Sequence, residues 1–331
     1  MAGAAHAFSP KEWKVAVVSD ATNAGATGIA STMNQLDVDS ISMPSLNPTQ
    51  VLDVRSGAGR TLKDEDVFQD NILKVSEISL SGTLHNDTGH KLLLQNICND
   101  VTGDISVASG FTAASQNMEG STAVTNAASS LTLVMQPSDV TNQMGMEFFG
   151  CLVTNFSISA DLGSEGGRYK WSATLQTGKK PDLESIATPT ITAYANTTVP
   201  LFSSSSVHKV SGSEVVMNSF TATVDSPAVF TGATSTGYQV ASRGAEIAVT
   251  ADTQIKYDGN TKAFIHEFGS QTSANSDGNM FAITNNNAFG VNIHTGLFTN
   301  VALSEGELMM LDCSIKAVDG GEALITFDVS A

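Results

Sequence analysis

Basic residues are scarce in this sequence. Its 331 residues include 16 Lys and Arg against 33 Asp and Glu, a formal net charge of −17 at pH 7. A protein that binds nucleic acid tightly normally carries the opposite sign. The composition therefore argues against tight DNA binding, but it is compatible with a wall past which DNA slides without sticking.

Cysteines and long apolar runs are scarce as well. Cys98, Cys151 and Cys313 are far apart and form no CxxC pair, so we expect buried small side chains rather than disulfides. No apolar run approaches the roughly 18 residues of a membrane span. The first residues lack the charged and apolar regions of a secretory signal. We expect no membrane insertion by this chain.

Aromatic residues make up 6% of the chain, whereas apolar residues make up 41%. That apolar content supports real cores. The abundant Ser, Thr, Asn and Gly are typical of many short strands joined by polar turns. A mainly β fold is predicted.

One stretch occurs twice. Phe149-Gly150 leads to Ser164-Glu165-Gly166, and Phe289-Gly290 leads to Ser304-Glu305-Gly306. Both matches are offset by 140 positions without a gap, and the same apolar alternation follows each. The repeat predicts a duplicated domain, each copy β-rich with one helix.

The repeat sets the predicted domain boundaries. They are an N-terminal arm (1–27), a first domain (28–180) with a long loop near 100–130, a linker (181–206) and a second domain (207–331).

Matching strands are predicted in the two copies. Thr32–Leu36 corresponds to Val216–Phe220, and Ser76–Leu80 corresponds to Ala245–Val249. Residues 231–234 are predicted to lie in a loop.

A helix should follow the second strand of each copy. In the first copy the turn is His85–Asp87, the cap is Thr88, and Leu92, Leu93 and Ile97 face the core. In the second copy the cap is Asn260 or Thr261, the apolar stripe is Phe264, Ile265 and Phe268, and Gly269 ends the helix.

The strand over 168–176 alternates strictly and predicts one buried face. That face carries Tyr169, Trp171, Ala173 and Leu175. In the second copy, Leu308 and Met310 fall on the otherwise polar face, which suggests a contact with another subunit.

No catalytic or binding signature is evident. His85 and His90 match no zinc spacing, and we interpret them as exposed histidines of a turn. The acidic positions Asp37, Asp39 and 64–66 lack the spacing of a calcium loop. We therefore predict no catalytic, cofactor-binding or metal-binding residues, no cofactor, and no enzyme.

The duplicated unit resembles the tail tube (major tail) proteins of tailed bacteriophages. The resemblance covers about residues 28–331. It rests on Ser76–Leu84 with the helix at His90–Ile97, on Phe149–Thr177, and on the matching Ala245–Gly269 and Phe289–Ala317.

This resemblance implies a structural role in the virion tail, assembled in the host cytoplasm. Members of the family pair strands between subunits into an inner β-barrel, and their rings stack into a hollow tube through which genomic DNA passes. Two domains per chain imply a homotrimeric, pseudo-sixfold ring. The implied partners are further copies and the tape-measure, tail-terminator and baseplate or tail-tip proteins. The arm, the 100–130 loop and the linker become candidates for ring-to-ring contacts, while lumen-lining residues stay unassigned.

Two alternatives stay open. The chain could be another virion part, such as a tail terminator, sheath or decoration protein. It could also be a carbohydrate-binding or adhesin module, although two Trp and four Tyr supply few stacking platforms.

Overall fold

A computed structural model of the chain describes most residues between 10 and 329. The described ranges are 10–20, 32–42, 49–52, 67–70, 75–98, 116–119, 130–137, 145–164, 167–181, 189–194, 199–205, 207–234, 237–244, 246–275, 278–285 and 289–329.

These ranges contain 22 strands and two α-helices, which confirms the mainly β prediction. The strands of the first half, up to residue 205, are β1 (Trp13–Ser19), β2 (Thr32–Leu36), β3 (Ser40–Ser42), β4 (Thr49–Leu52), β5 (Val67–Asp70), β6 (Ser76–Thr83), β7 (Gln116–Glu119), β8 (Leu131–Pro137), β9 (Met146–Asp161), β10 (Lys170–Thr177) and β11 (Thr190–Thr192). Those of the second half are β12 (Val207–Val210), β13 (Ser213–Glu214), β14 (Met217–Asp225), β15 (Ala228–Thr234), β16 (Gly237–Arg243), β17 (Ala248–Lys256), β18 (Phe281–Asn285), β19 (Phe289–Ile293), β20 (Gly296–Ser304), β21 (Met310–Ala317) and β22 (Ala323–Val329). The helices are α1 (Thr88–Cys98) and α2 (Ala263–Ser270).

Eight strands form one antiparallel row, which we call the main sheet. Its order is β3-β6-β10-β9-β14-β17-β21-β20. The first four strands come from the first half and the last four from the second. The β9–β14 pair therefore joins the two halves.

Strand β9 also belongs to a second row, because its beginning pairs with β8. This row, the branch sheet, has the order β11-β2-β1-β8-β9. The change of partner occurs at a bulge where Gly150 has φ +61, a left-handed conformation that favours glycine. Gly290, its predicted match, instead lies in a regular ladder between Thr284 and Asp328.

A small sheet covers the main sheet. Its order is β13-β12-β18-β19-β22-β7. Phe156 of the main sheet meets Phe327 of the small sheet with ring centroids 6.3 Å apart, and Tyr169 meets Phe289 at 4.4 Å. The predicted inward face of β10 is confirmed, since Trp171 and Leu175 are buried in this core.

Strand β7 comes from the predicted long loop of the first half, yet it pairs with β22 of the second. It thereby covers an edge of the small sheet that would otherwise be open. The rest of the 100–130 loop lies outside the described residues.

The arm and linker predictions are wrong where the structure describes them. Strand β1 falls within the predicted arm, but it lies inside the branch sheet with Val15, Ala16 and Val17 buried. Within the predicted linker, β11 pairs with β2 and Phe202 is buried in the core. A short apolar run buried on both faces does not alternate, which is why the strand pattern missed β1.

Several local predictions also need correction. Strand β17 begins at Ala248 rather than at 245, and residues 231–234 belong to β15. Helix α1 is capped by Asp87, whose Oδ1 accepts the His90 amide N–H at 3.0 Å. Helix α2 has no side-chain cap of its own and runs through Gly269 to Ser270.

The predicted apolar stripes are confirmed in part. Leu93 and Ile97 of α1 are buried together with Leu94, whereas Leu92 is half-buried. On α2, Phe264 is buried, but Ile265 and Phe268 are 36% and 38% exposed.

Candidate assembly edges and polar face

The two halves of the main sheet have the same internal order. In the first half the strands follow one another in space as β3-β6-β10-β9, and in the second as β14-β17-β21-β20. The first two strands of each half are neighbours in the sheet, but in the sequence a two-stranded hairpin lies between them. This hairpin is β4–β5 in the first half and β15–β16 in the second.

A β-bulge occupies the same place in both halves. Between β9 and β10 the register shifts at Thr154, whose hydroxyl donates to the Thr174 carbonyl at 3.2 Å. Between β20 and β21 it shifts at Thr299, whose hydroxyl donates to the Ser314 carbonyl at 3.2 Å. Each extra residue is thus held by its own side chain.

A helix side chain completes each bulge. Asn96 of α1 accepts the Val153 amide N–H at 2.7 Å, and Gln271, directly after α2, accepts the Phe298 amide N–H at 3.1 Å. Val153 and Phe298 each precede the bulged threonine. A backbone donor next to the bulge is therefore satisfied by a side-chain amide oxygen in both halves.

These bonds correct the gapless sequence match. The bulged threonines are 145 positions apart, whereas their partners Thr174 and Ser314 are 140 apart. The first hairpin is therefore five residues longer. Ser164 lies in its turn, while Ser304 is the last residue of β20. The dipeptides Thr154-Asn155 and Thr299-Asn300 are the sequence signal that could have revealed this register.

The β9–β14 pair shows how one half meets the next. Seven residue pairs run from Ser219↔Asp161 to Asp225↔Asn155. Beside this junction, Arg243 of β16 donates to the carbonyls of Val153, Ser226 and Asn96, and to Asn96 Oδ1 at 3.0 Å. Burial lowers the pKa of Arg243 to about 10, which leaves it protonated at neutral pH. The sequence analysis did not predict a role for Arg243.

The main sheet ends in two outer strands, one from each half of the chain. One is β3, the first strand position of the first half, and the other is β20, the last strand position of the second. Exposed apolar side chains lie at the β20 end: Leu303 is 46% exposed, Leu308 74% and Met309 51%.

The face of the main sheet that points away from the core is polar. Its central strands present mainly Ser, Thr, Asn and Gln, and Ser157 and Ser172 are hydrogen-bonded across β9 and β10 at 2.8 Å. Within the described strands of the main sheet, the charged side chains on this face are Glu77, Asp161, Asp225, Asp252, Asp312, Lys170, Lys256 and Lys316. Acidic groups therefore outnumber basic ones by five to three.

The histidines of the predicted turn are buried rather than exposed. His85 Nε2 lies 2.8 Å from Asp37 Oδ2, and His90 Nδ1 lies 2.8 Å from Asp87 Oδ1. Burial raises the pKa of Asp37, but the hydrogen bond and charge of His85 outweigh it and the pKa lies below its usual value. The His85–Asp37 pair ties the β2–β3 connection to the segment before α1, whereas the His90–Asp87 pair is local to the start of the helix.

The cysteines, the possible metal ligands and the helices were compared across the described residues. The three cysteines are buried and none forms a disulfide, and burial raises the pKa of the Cys151 and Cys313 thiols to about 12. Among the described residues, no cluster of three or more His, Cys, Asp or Glu is arranged to hold a metal ion. None of the helices among the described residues has the length and apolar character needed to cross a membrane.

No family model matches the chain, and no curated protein matches its sequence significantly.

Proposed function

We propose that this protein is a structural subunit that joins head to tail with further copies into closed rings, which stack into the hollow tail tube of a bacteriophage. The β9–β14 junction carries the proposal. It joins the last strand position of one four-strand unit to the first position of another. The outer strands β20 and β3 are the same two positions, and neither pairs with a further strand among the described residues. Within the part of the chain that the structure describes, the start of β20 is covered by a bridge between Gly296 and Asn275, whereas the segment 300–304, the counterpart of the β9 residues that pair with β14, is not.

Strand direction favours this arrangement. Every neighbouring pair in the main sheet is antiparallel, so eight strands bring β20 to run opposite to β3. A second copy can therefore place its β3 beside β20 and keep the alternation. An edge left open would be a template for uncontrolled pairing, whereas a closed ring removes it.

The contact is heterologous, because β20 of one copy meets β3 of the next. Such contacts close into rings when the rotation between copies divides a full turn, and otherwise give helical filaments. The resemblance to tail tube proteins favours a ring of six four-strand units. Two units per chain make that ring a trimer.

The polar face of the main sheet is the proposed wall of the lumen. Its small hydroxyl side chains and its excess of carboxylates suit a surface along which DNA moves. Like charge repels the phosphates, and within the described central strands the face has no aromatic platform on which a base would stack. DNA would pass without specific binding, and tape-measure protein would occupy the lumen before it.

Negative-stain electron microscopy and native mass spectrometry of the purified chain test the proposal. We expect hollow rings or tubes with six-fold appearance, and a ring mass of three chains. Rings of six whole chains would retain the tube but remove one unit from the barrel. A chain that stays monomeric at high concentration in both measurements would overturn the proposal.

A further inference from the structure

Helix α2 leaves part of an apolar surface exposed, whereas the corresponding apolar surface of α1 is buried within the chain. Leu93, Leu94 and Ile97 of α1 are fully buried. Phe264, Ile265 and Phe268 have the same spacing on α2, and Phe264 packs on Phe298 of β20 with ring centroids 5.7 Å apart. Ile265 and Phe268 nevertheless stay more than one-third exposed.

The difference lies in what surrounds each helix. Both helices pack against the bulged strand of their own half, α1 on β9 and α2 on β20. Helix α1 is also covered by β1, β2, β7 and β22. Of these, β22 belongs to the second half, which follows the first across the β9–β14 junction. The half that comes next in the main sheet therefore helps to bury the helix of the half before it.

The side chain of Gln271 indicates the same uncovered surface beside α2. Its Oε1 accepts the Phe298 amide N–H, as Asn96 accepts that of Val153. Asn96 is additionally bound by Arg243 from the second half. Gln271 Nε2 is buried, and no acceptor among the described residues lies within hydrogen-bond distance of it. A buried amide donor without a partner is costly, so an acceptor from outside the chain would stabilise it.

We propose that Ile265, Phe268 and Gln271 form a docking surface for the first half of the next copy. Because this inference rests on the proposed head-to-tail assembly, the occupant is a second copy of this chain, placed relative to α2 as the second half is placed relative to α1. The face of α2 that carries Ile265 and Phe268 is then buried in the ring and partly exposed in the free chain, while the opposite side of the helix stays in solvent.

Thiol labelling tests this surface directly. The native cysteines are buried, so a single introduced thiol gives a clean signal. We expect Phe268→Cys to react with a maleimide at least about tenfold more slowly in assembled rings than in free chains. His266→Cys, on the exposed side of the same helix, should react equally fast in both.

A second variant measures the contribution to assembly. Ile265→Ser/Phe268→Ser removes two apolar side chains from the docking surface. It should raise the concentration for half-assembly by more than about tenfold while the circular dichroism of the free chain is retained.

The outcomes separate the two proposals. If the Phe268→Cys variant labels as fast in rings as in free chains, or if assembly tolerates the double substitution, the docking surface is overturned and the tube subunit still stands. A wild-type chain that forms no rings would overturn both.

Discussion

A half-buried and a buried histidine, His208 and His294, make this fold sensitive to acid at single residues. The His208 ring lies against Phe202, with centroids 4.9 Å apart, and its Nε2 has no hydrogen-bond partner among the described residues. Burial lowers the pKa of His208. Burial also lowers the pKa of His294, although Glu322 opposes it.

We predict that stability falls as the pH drops below about 6.5. Below that value the unfolded chain binds protons that the folded chain excludes, and one histidine contributes at most about 1.4 kcal/mol per pH unit. His208→Phe should reduce this slope without abolishing it, because His294 remains. Urea unfolding at pH 7.5 and 5.5 measures the difference.

The matched control is His266→Phe, on the exposed side of α2. It should leave the wild-type slope between the two pH values unchanged. A His208→Phe variant with an unaltered slope would contradict the assignment.

At the scale of elements, Arg243 connects three parts of the fold. Its guanidinium reaches the end of α1, the bulge of β9 and the turn after β14. No single neutral side chain can donate to four acceptors in this geometry, and lysine is a point charge rather than a fork.

We predict that Arg243→Met lowers the free energy of unfolding by roughly 2–4 kcal/mol, because buried carbonyls lose their donor. Arg243→Lys should lie between Met and wild type. Chemical denaturation measures both, and Lys256→Met at an exposed strand end provides a comparison in which a cation is lost at little cost. Equal losses for Arg243→Met and Lys256→Met would show that the bonds to Arg243 contribute little.

The sequence predicts elements better than it predicts their partners. Trp171 and its alternating neighbours and the two helices were evident from periodicity, since each is a local pattern. The bulges were not, because an extra residue such as Thr154 shifts register without changing composition. Arg243 was missed for a related reason, since two of the residues that it binds, Val153 and Asn96, lie 90 and 147 positions away in the sequence. The predicted match of Thr32–Leu36 to Val216–Phe220 is wrong, because β2 lies in the branch sheet and the counterpart of β14 in the main sheet is β3.

The predicted repeat illustrates both the strength and the limit of matching by position. The offset of 140 aligns β10 with β21, residue for residue. It fails for the preceding strand, because the hairpin lengths differ by five residues. Insertions collect in turns, where they cost little, so a gapless match is trustworthy within one strand and not across a loop.

At the scale of the whole molecule, the main sheet is a row of strands with two unlike ends, and the proposed assembly depends on those ends. A proline is tolerated on an edge strand where its missing N–H would point to solvent, but it blocks a new strand from pairing there. N–H groups alternate in direction along a strand. Of the two substitutions Val301→Pro and Ala302→Pro, one therefore removes an N–H that points toward β21, and the other removes an N–H that points toward the open side of β20.

We predict that one of these two variants stays folded as a free chain and forms no rings, while the other disrupts the β20–β21 pair. Circular dichroism reports the fold and native mass spectrometry the assembly. Ser157 of β9 is the internal counterpart of Ala302, and it has neighbours on both sides. Ser157→Pro should therefore destabilise the chain itself. If the folded β20 variant assembles as well as wild type, the rings are not built through this edge, and the contact between copies must lie elsewhere.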